Sequence, residues 1–454
     1  MLFNQTTLLV ATVALLLGCT TACAEKLRQV TAKERRNNSE LQAVDQSVDS
    51  AATVTAEGLV AEALAKNPEL NYYRAEIKAA RGERRTAGEW ANPEATSDIG
   101  AKIVNDSNGN SLGQGATWSI SAAQTFEYPG RVSLRKAIAN RQIALAETGL
   151  EGFEVALAAR IRSLALRVIV NEERVAAVRK VSDRFQELIS ILSQRPTAGV
   201  APLLDTRLIE ANAIALNRRT AEAARDLQSA IYAINQLRGS PIEARLRLAK
   251  SDLTFSPLPP LSELLSAARS NSYEVQTRLV ELQQRGLKVK LARNERWPAL
   301  KIGPLVSNER ADTSEYRVGI GFNLALPIWN QNAGNIETAN AKAIQAEASL
   351  STTILEVERK VADAAFAYQT RRDELMKLQP VTLDQLQDAA ELADRNYRSG
   401  AVPVVTYTEV QKQYLDAIDA LAAAQIGALE NRQEIEQQTG LHLDGRTSLK
   451  RKRQ

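Results

Sequence analysis

Along most of the chain apolar residues return every three to four positions, and the returns persist far longer than in an ordinary helix. Ile161, Leu164, Val168, Val175, Val178, Phe185, Leu188 and Leu192 fall on a heptad, with Asn171 and Ser182 as polar interruptions. Leu350, Ile354, Val357, Val361, Ala364, Tyr368, Leu375 and Leu378 form a matching second series. Pro380 removes an intrahelical hydrogen bond just after it, so a bend is expected near Gln379. Alanines between the heptad positions, such as Ala156, Ala158, Ala159 and Ala165, let a second helix approach another face. Helices with two seams can close into a cylinder.

Four shorter segments switch from the helical repeat to strict alternation. Tyr316, Val318, Ile320, Phe322, Leu324 and Leu326 alternate with Arg317, Gly319, Gly321, Asn323 and Ala325. Trp118, Ile120, Ala122 and Phe126 alternate with Thr117, Ser119, Ser121 and Thr125, and briefer versions occur at Ile99, Ala101, Ile103 and at Leu300, Ile302. The pattern predicts four strands in two hairpins, apolar on one face and polar or small on the other. Strands of roughly 9 to 11 residues patterned in this way suit a lipid-facing barrel with a wet lumen. Four strands cannot close a barrel without exposed edges, so several chains must share one. The rival reading is a half-buried soluble sheet packed on helices.

The chain also echoes itself. Gly199-Val200-Ala201-Pro202-Leu203-Leu204 returns as Gly400-Ala401-Val402-Pro403-Val404-Val405 about 201 positions later. Glu89-Trp90-Ala91-Asn92-Pro93 pairs with Arg296-Trp297-Pro298, and Phe126-Glu127-Tyr128-Pro129 with Leu324-Ala325-Leu326-Pro327. Three echoes in one order predict a duplication, repeat 1 over 57–239 and repeat 2 over 261–440, joined by a proline-rich linker over 240–260. Repeat 1 is expected to hold a β-hairpin at about 95–128 and long helices at about 131–194 and 203–238. Repeat 2 is expected to hold a hairpin at about 299–326 and long helices at about 331–396 and 404–439.

The amino terminus, residues 1–24, reads as a signal peptide, because residues 8–18 form an apolar run too short to span a bilayer as a helix. Two processing sites compete. Leu16-Leu17-Gly18-Cys19 resembles a bacterial lipobox that would lipidate Cys19, whereas Ala22-Cys23-Ala24 fits ordinary cleavage after Ala24. The segment before the run lacks the usual Lys or Arg. Residues 25–56 read as a polar arm, and 441–454 as a basic, solvated tail.

Composition narrows the chemistry. At 454 residues the chain would make about three ordinary domains, or one architecture with an internal repeat. Its single histidine (His442), two cysteines (Cys19 and Cys23) and two methionines leave few ligands for a transition-metal site or a catalytic triad. The net charge of +4 comes largely from Lys450, Arg451, Lys452 and Arg453 rather than from a stripe that could track nucleic acid. Ser107-Asn108-Gly109-Asn110-Ser111 lacks the ending of a phosphate loop and reads as a hairpin loop. No catalytic residue, cofactor or metal site is expected.

The order of elements, the doubled Gly-x-x-Pro tips and the strand exit Thr125-Phe126-Glu127-Tyr128-Pro129-Gly130-Arg131 resemble the TolC-like outer-membrane efflux protein family, over nearly all the chain after about residue 55. The resemblance implies a mainly α fold with a transmembrane β portion. Each chain of a homotrimer would give four strands to a twelve-stranded barrel in the bacterial outer membrane, and long helices to a periplasmic tunnel. It implies a passive exit duct working with a periplasmic adaptor and an inner-membrane resistance-nodulation-division pump. The strand exit is most similar to the heavy-metal branch, although drug-efflux relatives use similar turns. The alternatives are the outer-membrane component of a type I protein secretion system and a soluble periplasmic coiled-coil scaffold.

In that family the helix-turn-helix tips close the periplasmic entrance. The matching segments here are Arg195 to Leu204 and Tyr397 to Val405, where Gly199 and Gly400 would allow the turns and Pro202 and Pro403 would suit the next helix starts. The resemblance pairs Tyr397 with Asp205 in a gate hydrogen bond. It maps one position of a carboxylate ring onto Glu409, while the other position is Thr406.

Overall fold

A computed structural model describes residues 53–109, 111–193, 200–249, 254–311, 313–378 and 381–443. Cys19, Gly199, the bend expected near Gln379 and the basic tail from residue 444 lie outside the described residues. The chain divides into two compact units. The smaller is described at 53–55 and 245–249, where Val54 bridges Leu248 in parallel. The larger holds every long element.

The larger unit is mostly helical, with one small antiparallel sheet. In chain order its first part comprises α1 (Ala56–Lys66), α2 (Glu69–Ala87), β1 (Glu94–Asn105), β2 (Ser111–Phe126), α3 (Arg131–Ser193) and α4 (Val200–Leu237). The rest comprises α5 (Leu261–Asn271), α6 (Tyr273–Asn294), β3 (Leu300–Arg310), β4 (Ser314–Leu324), α7 (Ala333–Leu378), α8 (Val381–Arg398) and α9 (Val404–Thr439). With 63 residues, α3 runs for about 95 Å at about 1.5 Å per residue.

The heptad side chains make the seams. Ile161, Val168, Val175, Val178, Phe185 and Leu188 on α3 are buried, as are Val357, Val361, Ala364, Tyr368 and Leu375 on α7. Each buried aliphatic side chain contributes roughly 1.5 to 3 kcal/mol relative to exposure, which a helix of this length needs because it has no globular core behind it. The α3 series packs on Ile209 and Ala213 of α4 and on Val404, Tyr407, Tyr414 and Leu415 of α9. The α7 series packs on Leu264 of α5 and on Ala424, Ala428 and Ile435 of α9. The packing order is therefore α4 on α3, α3 on α9, and α9 on α7 and α8. An ionic lattice ties the middle: Arg174 on α3 reaches Asp226 on α4 at 3.0 Å and Asp419 on α9 at 2.6 Å, and Arg219 on α4 reaches Asp416 at 3.0 Å.

The strands form one sheet in the order β1-β2-β3-β4 with every neighbouring pair antiparallel. Register puts Ile99, Trp118, Asn308 and Tyr316 in one row, and Phe126, Leu300 and Leu324 in another, on the same face. That face is apolar and open: Ile99 is 86% exposed, Val318 78% and Phe322 70%. A half-buried soluble sheet would cover these side chains with helices.

The opposite face is polar and cross-linked. Lys102 reaches Glu309 at 2.6 Å and Lys301 reaches Glu94 at 2.7 Å, both from β1 to β3. Each pair passes over β2, whose side chains there are small: Gly115, Thr117, Ser119, Ser121, Ala123 and Thr125. At Gly303 a Cβ would fall on the Ala122 carbonyl oxygen, so only glycine lets β2 and β3 approach on this side. Among the described residues, strands β1 and β4 each leave one edge unpaired.

Candidate functional site: the hairpin tips

Helix α8 ends at the tip in a Schellman turn. The Ala401 N–H donates to the Asn396 carbonyl at 2.9 Å and the Gly400 N–H to the Tyr397 carbonyl at 3.0 Å, with Gly400 at φ +79°. Pro403 is the N-cap of α9, in extended backbone, and its carbonyl accepts from the Tyr407 N–H at 3.1 Å. In the first half α4 begins at Val200, three residues before the 203 expected from the sequence, so Pro202 sits inside the first turn. Proline is tolerated there because the first four N–H groups of a helix have no intrahelical partner.

Behind this turn three aromatic rings stack across three helices. Tyr407 on α9 lies 5.2 Å from Phe185 on α3 and 5.0 Å from Tyr397 on α8, with interplanar angles of 24° and 11°. Tyr407 is fully buried, and burial, aided by the Asp394 carboxylate, pushes its hydroxyl well above the usual phenol range. Asp394 lies close enough to act on it electrostatically, yet the Tyr407 hydroxyl completes no hydrogen bond of normal geometry. Gln411, one turn on, donates to the Ala390 carbonyl at 2.7 Å.

A strip of ion pairs closes over the stack from α3 to α8. Lys180 meets Glu391 at 2.8 Å, Arg184 meets Glu391 at 3.3 Å, and Arg398 grips both oxygens of Glu187 at 3.1 and 2.8 Å. Arg398 also holds Asp394 at 3.1 Å, and it keeps the Glu187 carboxyl below the ordinary carboxylate range. Lys180 first, then Arg184, does the same for Glu391.

The residues singled out from the sequence are spread around this arrangement. Tyr397 belongs to it directly, through its stacked ring. Asp205, in the first turns of α4, and Glu409, on α9, are both exposed, and Glu409 accepts from Gln413 Nε2 at 2.7 Å. Among the described residues no group of three or more His, Cys, Asp or Glu is placed to hold a metal ion, and no helix is long and apolar enough to cross a membrane.

Residues 264–441 match the model of the family described as "Outer membrane efflux protein". Over that segment the chain is similar to the outer membrane efflux protein family. The chain is 25% identical over 375 residues to the cobalt-zinc-cadmium resistance protein CzcC of Cupriavidus metallidurans, covering 82% of this chain and 84% of the relative. It is 24% identical over 403 residues to the pyoverdine export outer membrane protein OpmQ of Pseudomonas aeruginosa, covering 82% of each. The solved outer-membrane channel OprN shares the fold of this chain, with TM-score 0.69 at 20% identity over 85% of this chain and 89% of that one.

Sequence reasoning placed Phe185 on the heptad but did not connect it to the tip, and it missed Tyr407 and the α3–α8 ion pairs. One signal was present. Lys180 and Glu391, and Glu187 and Arg398, carry opposite charges at one constant separation of 211 residues, close to the spacing of about 201 between the two Gly-x-x-Pro segments.

Proposed function

We propose that the chain is the outer-membrane exit duct of a tripartite efflux assembly, a passive homotrimer fed by an inner-membrane resistance-nodulation-division pump through a periplasmic adaptor. The observation that carries this reading is the sheet: apolar and exposed on one face, polar and ion-paired on the other, with two open edges. A buried scaffold sheet would need none of these. Three copies would bring twelve strands, joining β4 of one chain to β1 of the next and leaving no edge. The helices support the same closure, because the flanking helices α4 and α7 carry exposed apolar residues, Ile214 on one and Ile344, Leu355 and Phe366 on the other.

The tips are proposed to form the periplasmic gate, with Tyr397 and Asp205 joined by a hydrogen bond when it is shut, and with Glu409, Gly199, Pro202, Gly400 and Pro403 shaping the entrance. Cys19 is proposed as the lipidated residue. Heavy-metal cations are the favoured cargo, since CzcC is named for resistance to them, and a duct passes its cargo on without a fixed ligand set. Export of a larger organic solute is the second reading, favoured by the similarity to OpmQ.

The test is electron microscopy of protein extracted from membranes with detergent. The expected particle is a threefold cylinder on the order of 130 Å long, from helix rise plus bilayer thickness. A monomeric or compact particle released by salt alone would overturn the duct.

A further inference from the structure

All four crossings between helix and sheet lie at one rim, and each carries an aromatic residue. Trp90 precedes β1, Tyr128 follows β2, Trp297 precedes β3 and Trp329 follows β4, so three of the four tryptophans in the protein stand at this level. They are held out deliberately. Trp297 stacks on Tyr128 at 5.5 Å, its carbonyl accepts from Arg131 Nη2 at 2.6 Å, and Trp329 is 93% exposed beside exposed Leu326 and Ile328. Rings with an apolar body and a polar N–H or O–H settle where hydrocarbon meets headgroups.

Beside Trp297 and Trp329 the rim holds a cleft of about 330 Å³, lined by Arg296, Gln331, Ala333, Ile336, Glu337 and Asn340. Its two charges are of opposite sign, and among the described residues neither is taken up by an ion pair. Arg296 donates to Gln331 Oε1 at 2.9 Å, which aims the guanidinium without neutralising it. Ile336 supplies an apolar wall and Asn340 a neutral polar one.

We propose that this cleft seats the headgroup of an ethanolamine phospholipid from the adjoining leaflet, its phosphate on Arg296 and its ammonium on Glu337. The inference rests on the membrane-spanning reading of the sheet. The charge pair distinguishes the lipid class: an anionic glycerol headgroup satisfies Arg296 and leaves Glu337 facing a neutral or negative group, whereas a zwitterionic headgroup satisfies both.

The test uses the full-length assembly in detergent, titrated with phosphatidylethanolamine or phosphatidylglycerol and read by native mass spectrometry. The native protein is expected to retain phosphatidylethanolamine in preference. Glu337→Gln should abolish the preference, and Arg296→Gln should weaken both lipids by about tenfold, the scale of one charge-assisted hydrogen bond. Equal retention of the two lipids by the native protein, or unchanged retention in Arg296→Gln, would overturn the assignment. So would a Glu337→Cys side chain that stays shielded from a soluble maleimide after delipidation, since a second copy would then cover the cleft. Quenching of Trp329 by brominated lipids in vesicles separates the two levels. Quenching without headgroup preference removes only the cleft, whereas no quenching removes the membrane reading as well.

Discussion

At the tip a single glycine sets the direction of the chain, and a single tyrosine sets what stands behind it. Gly400 takes φ +79°, where a side chain costs about 1 to 2 kcal/mol, so Gly400→Ala should lower the unfolding free energy of the assembly by that amount in a denaturant titration. The two ends of Tyr407 should behave differently. Its ring fills the space between Phe185 and Tyr397, so Tyr407→Ala should cost about 3 to 5 kcal/mol, as for other large buried rings. Its hydroxyl is buried without a completed hydrogen bond, so Tyr407→Phe should change stability by less than about 1 kcal/mol. A large loss in Tyr407→Phe would mean that Asp394 bonds the hydroxyl after all.

Between elements, ion pairs join α3 to α8 beside the tip. Glu187 and Glu391 are held below the ordinary carboxylate value of 4.5 by Arg398 and Lys180. A carboxyl lowered on folding favours the folded contact above its unfolded pKa, and the contribution fades as pH falls through the lowered value. Spin labels on α3 and α8 should therefore keep their separation from neutral pH down to about pH 4.5 and move apart only below it. Glu187→Arg alone should widen that distance at neutral pH, and adding Arg398→Glu should restore it. These pairs were hidden in the sequence because partner choice across helices depends on the register of one half against the other. The heptad side chains were legible because burial repeats along a helix, and Val357, Val361 and Tyr368 are buried where the pattern put them. Alternation made the sheet legible in the same way. The early start of α4 was not, because a proline in a first turn looks the same as one just before it.

For the whole molecule the question is how copies meet. Ile214 on α4 and Leu392 on α8 are both exposed, and both lie level with the same stretch of α3, through the Ser182–Asn217 and Arg184–Glu391 contacts. With Ile214→Cys and Leu392→Cys in one chain, a short thiol cross-linker should give a gel ladder that stops at three, the mark of a head-to-tail ring that closes. A ladder that continues past three, or none, would reject the ring. The cross-linked polar face of the sheet also bears on how such a ring would be born. Because the Lys102–Glu309 and Lys301–Glu94 bridges over small side chains lie within one chain, each subunit of the proposed ring would arrive with its four strands already joined. Yet a lone four-stranded sheet has two sticky rims and a greasy back, and it would pair with whatever strand it met first. Synthesis should therefore be chaperoned up to the moment of insertion, and a shortage of copies in the membrane should be more dangerous to the cell than a surplus of closed pores.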